Sequence, residues 1–212
     1  MESDEHVWHR EVINPQVERT LHNLKALGVL DGSYLAGGTG LALHLGHRRS
    51  HDLDFFSRDP IKPEALSRTM KSLAGFALAA QAPDTLHVTV QTTKVSFLAY
   101  PYPVLFPLVA FQGVNVADPR DIACMKLSAI ASRGTKRDFV DLYEVARRYG
   151  LAQLLEWFKQ KYAGVNHSLT HLLKSLTWFE DAEKDPMPDL LAPLPWEEVK
   201  RFFQSEASRL SP

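Results

Sequence analysis

The chain has 212 residues, 45% hydrophobic and 23% charged, with a net charge of −1, the profile of an ordinary soluble globular protein with one large or two small units. No apolar run reaches the roughly 20 residues of a membrane span, the polar start "MESDEHVWHREVINPQ" has no signal-peptide core, and the single Cys124 cannot form an internal disulfide. A cytoplasmic protein without a membrane partner is expected, and any nucleic acid would have to be held by a local basic patch.

In chain order, residues 14–28 predict an amphipathic helix with Pro15 in its first turn and Gly28 as its stop. "SYLAGG" reads as a short strand entering a Gly-Gly turn, and "TGLALHLGH" as a helix with Thr39 at its N-cap. "DLDFFS" is a second strand and "PEALSRTMKSLAG" a second helix. "FALAA", "LHVTVQ" and "KVSFLAY" follow as strands, and "VNVAD" adds a short one. From Asp118 the chain turns helical. Asp118, Pro119 and Asp121 form an N-terminal signature, Gly134 interrupts, and Thr135 caps the next helix. Further helices are expected at 151–162, 168–181 and 196–209, the last after a Pro-rich connector. The expected fold is α/β (α+β): a small mixed sheet flanked by helices over 1–116, then a helical region over 117–212 that completes the site.

Asp52 and Asp54 are two residues apart on a strand, so both project from one face. Taken alone, the pair fits a solvated strand face as well as a metal site. The preceding Gly37-Gly38-Thr39 turn opens a helix, which aims backbone N–H groups and the helix dipole at a phosphate. Neither a P-loop nor a dinucleotide fingerprint is present. A phosphate-cradling turn ahead of two hard carboxylates suits Mg²⁺ and a nucleoside triphosphate. His44 and His47 could share a metal at i,i+3, although zinc lacks a full ligand set. His51 could meet a base or phosphate, and either Arg48 or Arg49, with Arg49 chosen, is expected to reach substrate.

Lys126, Arg133, Lys136 and Arg137 place four cations within twelve residues. They read as contacts to triphosphate or an RNA acceptor, or as a solvated helix face. Asp138 and Asp141 share a helix face, with Arg137 able to pair with Asp141 at i,i+4.

"GGTGLALHLGHRRSHDLDFFS" resembles the first motif of the AbiEii-type nucleotidyltransferases, the toxin half of bacterial AbiE-like toxin–antitoxin pairs. These belong to the minimal nucleotidyltransferase superfamily that includes DNA polymerase beta. "DPRDIACMKLSAIASRGTKRDFVDLYEV" is similar to the family's later Lys and R-D-x-x-D motifs. The resemblance implies Mg²⁺ on Asp52 and Asp54, phosphate on Gly37, Gly38, Thr39 and Lys126, and an acidic pair, Asp138 and Asp141, that orients Lys126 or helps accept a proton. It also implies an antitoxin partner and an acceptor such as the 3′ end of tRNA. Many superfamily members carry a third carboxylate on a neighbouring strand; "KVSFLAY" has none, and Ser96 or Phe97 stands in its place. Two other readings follow: a nucleotide-binding protein without catalysis, or nucleotidylation of a small molecule or protein.

Overall fold

In a computed structural model of the chain, residues 6–165 and 168–210 are described, so the first five residues of the polar N-terminal stretch lie outside them. A 3-10 turn, Arg10–Val12, leads into α1, Pro15–Ala26. The Asn14 side chain caps α1 by accepting from the Gln16 and Val17 N–H groups, and Pro15 takes the first position, where an N–H would have no helical partner. After β1, Ser33–Leu35, comes α2, Gly37–Leu45. Its "LALHL" run is apolar on every side, and accordingly everything from Thr39 to Leu45 is buried. Gly46 ends the helix at φ +64°, its N–H returning to the Ala42 carbonyl.

β2, Leu53–Ser57, alternates as the sequence pattern requires: Leu53, Phe55 and Ser57 are buried, while Asp54 and Phe56 face the other side. α3, Pro63–Met70, is followed by the three expected strands, β3, Phe76–Ala82, β4, Thr85–Val90, and β5, Thr93–Ala99. β6, Val109–Phe111, is an addition to the expected set; three residues are too few to show alternation. It forms a hairpin with β7, Val114–Val116, through Gln112 and Gly113, both at positive φ. The sheet runs β3-β4-β5-β2-β1-β7-β6, with β2–β5 and β1–β7 parallel and the other neighbours antiparallel.

α4, Pro119–Ser132, is capped by Asp118, which accepts from Arg120 N–H, and α5, Lys136–Tyr149, by Thr135. Asp121 is not part of the cap. It is buried on the inner side of α4, where it pairs with Lys161 at 2.7 Å and accepts from the Leu105 and Phe106 N–H groups. α6 covers Leu151–Lys161. The expected helix over 168–181 is broken into α7, Leu169–Ser175, and a single turn, α8, Glu180–Glu183. Between them Phe179 turns inward onto Phe139 and Trp196, with ring centroids 5.1 and 5.7 Å away, and a continuous helix would not deliver it there. α9, Trp196–Leu210, closes the chain.

Two apolar cores meet at α2. One, holding Val17, Leu21, Leu53, Phe55 and Phe97, fills the space between the sheet and α1; Ala42 and Leu43 belong to it. The other joins Leu41 and Leu45 to Leu127, Phe139, Phe158 and Phe203 of the helical half. α2 is thus a wall shared by both halves, and the polar cluster described next lies at its N-terminal end.

Candidate active site

β1 delivers the chain into Ala36 and the Gly37–Gly38 turn, with Gly37 at φ +61°. A Cβ on Gly37 would lie 2.8 Å from Asp54 Oδ2, and one on Gly38 would lie 2.2 Å from Arg48 Nη2. Charged side chains therefore press directly on this backbone, and only glycine leaves room for them. α2 starts at Gly37, so Thr39 is not its N-cap, as the sequence pattern had indicated. Thr39 is buried in the first turn, where its hydroxyl donates to the Asp52 carbonyl and meets Ser50 Oγ at 2.7 Å. Ala36, in the cap position, offers no side-chain acceptor, which leaves the first-turn N–H groups to an anion.

Asp52 and Asp54 arrive together at the start of β2. Burial, with the Asp52 charge beside it, raises the Asp54 carboxyl above the usual carboxylate range, against the opposing effect of a hydrogen bond from Ser96. The missing third carboxylate can now be placed. Asp54 is in register with Ser96 on β5, and Ser96 with His87 on β4, whose Nδ1 lies 3.1 Å from Ser96 Oγ. Phe97 points the opposite way and stacks on Phe55 in the core, centroids 5.2 Å apart.

Across the pocket, Lys126 on α4 lies 2.8 Å from Asp138 Oδ1 and 2.7 Å from Asp141 Oδ2. Burial opposes the Lys126 charge, but the two aspartates outweigh it and raise its pKa, so the ammonium persists. Asp141 is completely buried. Its carboxylate accepts from Arg48 Nε at 2.6 Å, Arg48 Nη2 at 2.9 Å and His47 Nε2 at 2.8 Å, in addition to the lysine. Burial pushes this carboxyl up, yet Lys126 and Arg48 overcome it and hold it well below the usual range. Asp138 behaves alike: burial is outweighed by Lys126 and by the Thr135 hydroxyl at 2.6 Å. The anticipated Arg137–Asp141 pair does not form, because Asp141 sits on the inner face of α5 while Arg137 is exposed.

Of the residues singled out in the sequence, Gly38, Asp52, Asp54, Lys126, Arg133, Arg137 and Asp138 line one open polar pocket of about 240 Å³. Gly37 and Thr39 support its floor from behind, and Asp141 anchors it from beneath. Arg49 is not brought in; it turns outward to Asp189 at 3.2 Å, and Arg48 occupies the interior instead. Arg48 is thus the member of the weighed arginine pair that lines the pocket, while Ser50 and Thr135 are lining residues that the sequence does not mark as such. The two histidines of α2 and its exit diverge: His44 contacts His6 and the Ala117 carbonyl, whereas His47 goes to Asp141. Among the described residues no three His, Cys, Asp or Glu side chains converge on a metal position, so the metal-type ligand set is the carboxylate pair alone.

A family model described as "Nucleotidyl transferase AbiEii toxin, Type IV TA system" matches residues 25–209. The chain belongs to the AbiEii nucleotidyltransferase toxin family. An uncharacterized protein of Aquifex aeolicus (strain VF5), aq_aa25, is 37% identical over 198 residues, 91% of this chain and 94% of that protein. MenT4, a nucleotidyltransferase toxin from Mycobacterium tuberculosis, superposes with a TM-score of 0.56 at 17% identity, covering 93% of this chain and 87% of its own. JHP933 from Helicobacter pylori does so with a TM-score of 0.50 at 20% identity, covering 93% and 92%. Those two likenesses establish the shared fold. As a member of the AbiEii family the protein is a nucleotidyltransferase, and the family implies a nucleotide substrate and an antitoxin partner. No helix among the described residues is long and apolar enough to cross a membrane.

Proposed function

We propose that this AbiEii-family protein transfers a nucleoside monophosphate from a nucleoside triphosphate to an acceptor hydroxyl on RNA, the 3′ end of tRNA being the acceptor expected of such a toxin. The observation that carries the reading is the meeting of Asp52, Asp54 and Lys126 in one pocket beside an uncapped helix start. The donor set fits Mg²⁺: two hard carboxylates and no third protein ligand suit an ion that completes its shell with phosphates and water. Asp52 and Asp54 would hold that ion, which would neutralise phosphate charge as the acceptor oxygen bonds to the α-phosphorus, its hydroxyl proton passes to solvent and pyrophosphate leaves.

The chain's own residues divide the remaining work. Gly37 and Gly38 bring backbone N–H groups close to phosphate oxygens. Lys126 meets the triphosphate charge, and Asp138 holds its ammonium in place. Arg133 and Arg137 flank the opening and face phosphate of nucleotide or acceptor. Residues 1–116 would supply the metal and phosphate contacts and 117–212 the lysine and its acidic supports. Nucleotides and tRNA are cytoplasmic, which is where we place the protein, under the control of an antitoxin.

Ser96 in the register of the absent carboxylate favours a second reading, nucleotide binding without turnover. Each labelled triphosphate is incubated with Mg²⁺ and total tRNA, using wild type and Asp52→Ala/Asp54→Ala. Label on RNA in wild type alone is the expected result. Equal backgrounds in both proteins would refute transfer, binding without label would favour the second reading, and label on protein would redirect the acceptor.

A further inference from the structure

Arg133, at the end of α4, lines two cavities at once. One is the pocket of Lys126 and the aspartates; the other is a groove of about 360 Å³ between the α4 terminus and the α7–α8 connection. The second groove contains the largest exposed aromatic among the described residues, Trp178, with 63% of its surface open. Its neighbour Phe179 is anchored in the aromatic cluster around Phe139 and Trp196, so the segment is held while the indole is displayed. Lys174 and His171 stand beside Trp178, and the His171 ring is fixed by the Ala131 carbonyl at 3.3 Å. The acidic member of the lining, Asp181, is engaged with Lys184 at 3.0 Å. Arg133 and Lys174 form no salt bridge among the described residues, and both line the groove.

We infer that this groove is the subsite for the single-stranded 3′ end of the acceptor, with a base stacked on Trp178 and phosphodiesters against Lys174 and Arg133. The inference rests on the nucleotidyl-transfer reading and specifies where its acceptor lies. An exposed aromatic face interleaved with cations is the recognition chemistry of single-stranded nucleic acid. Continuity through Arg133 gives the direction: a strand whose terminal hydroxyl reaches Asp52 and Asp54 passes this arginine into the groove. The chain's near-neutral net charge is then no obstacle, because the binding charge is local.

The test uses the full chain and a 5′-labelled RNA oligonucleotide of about eight nucleotides with a free 3′ hydroxyl, titrated by fluorescence anisotropy. Trp178→Ala is expected to weaken binding about tenfold or more, and Trp178→Phe to restore most of the loss by keeping a stacking face. Lys174→Ala is expected to lower the slope of log affinity against log salt by about 0.7, the signature of one lost phosphate contact. Thermal midpoints of all three variants should match wild type, since both side chains are exposed. Unchanged affinity in Trp178→Ala overturns the subsite, and so does a wild type that does not bind the oligonucleotide. A wild type that binds through Trp178 but transfers no label refutes the enzymatic reading alone. Transfer to the oligonucleotide with the same KM in Trp178→Ala refutes the subsite alone.

Discussion

Replacing Asp141 by Asn should unfold more than the site. The carboxylate is wholly buried and neutralises two cations with almost no access to water: Arg48 is 4% exposed, and the Lys126 side chain 10%. An asparagine of the same shape keeps at most one acceptor oxygen and removes the charge. Lys126 retains Asp138, but Arg48 is left with no carboxylate partner among the described residues. Removing one partner of a buried pair costs about 3–5 kcal/mol, because the remaining charge stays desolvated. For a chain of this size that corresponds to roughly 6–20 °C in Tm. The measurement is thermal and urea unfolding of wild type, Asp141→Asn, Arg48→Met and the double variant. The double variant should be more stable than the sum of the single losses by about 1–3 kcal/mol, since it no longer buries an unpaired charge there. A Tm for Asp141→Asn within about 2 °C of wild type, or strict additivity, would refute the reasoning. The pH dependence supplies a second check. A depressed carboxyl contributes stability above the ordinary carboxylate range and loses it as pH falls below, so Asp141→Asn should flatten the acid limb of stability below about pH 4.

Two further outcomes are expected. Gly37→Ala must accommodate a Cβ 2.8 Å from the Asp54 carboxylate at a φ of +61°, and Gly38→Ala one at 2.2 Å from the Arg48 guanidinium. Both should abolish or severely weaken triphosphate binding in calorimetry, with Gly37→Ala also lowering Tm because its backbone conformation is strained; wild-type affinity in either variant would contradict the close packing. Burial, reinforced by His6, lowers the His44 pKa to about 4. The unfolded chain takes up that proton first, from near pH 6.5, so stability should decline as pH drops from there towards 4. From this group alone the loss between pH 7.5 and 5 is about 2 kcal/mol. Chemical denaturation at those two pH values should show the decline in wild type and much less of it in His44→Asn; identical declines would assign the acid sensitivity elsewhere.

Much of the site was legible in the sequence because its signals are short-range. Two aspartates two residues apart share a strand face in any sheet, and a Gly-Gly turn between a strand and a helix has room for a close approach wherever it is placed. The same holds for the caps at Asp118 and Thr135, each of which meets an N–H two or three residues away. The resemblance joined these fragments into one family, and the match over residues 25–209 bears that out.

Other features depended on contacts that no local pattern carries. Thr39 looks like a cap, yet α2 begins two residues earlier and its hydroxyl serves the Asp52 carbonyl. Asp121 satisfies a capping signature but is recruited by Lys161, forty residues on. Arg48 and Arg49 are adjacent and chemically identical, so nothing in the sequence distinguishes the one that turns inward. That choice is made by Asp141, 93 residues further along, which offers a buried charge to Arg48 while Asp189 takes Arg49 at the surface. What the sequence by itself determined was the chemistry available and its local geometry: paired carboxylates, a glycine turn, a lysine and an acidic pair on helices. Only the tertiary structure decided which of those charges face the pocket and which are buried as its support. Desolvation makes an unpaired buried charge costly, so Arg48, Lys126 and Lys161 each go where a carboxylate from another element awaits them.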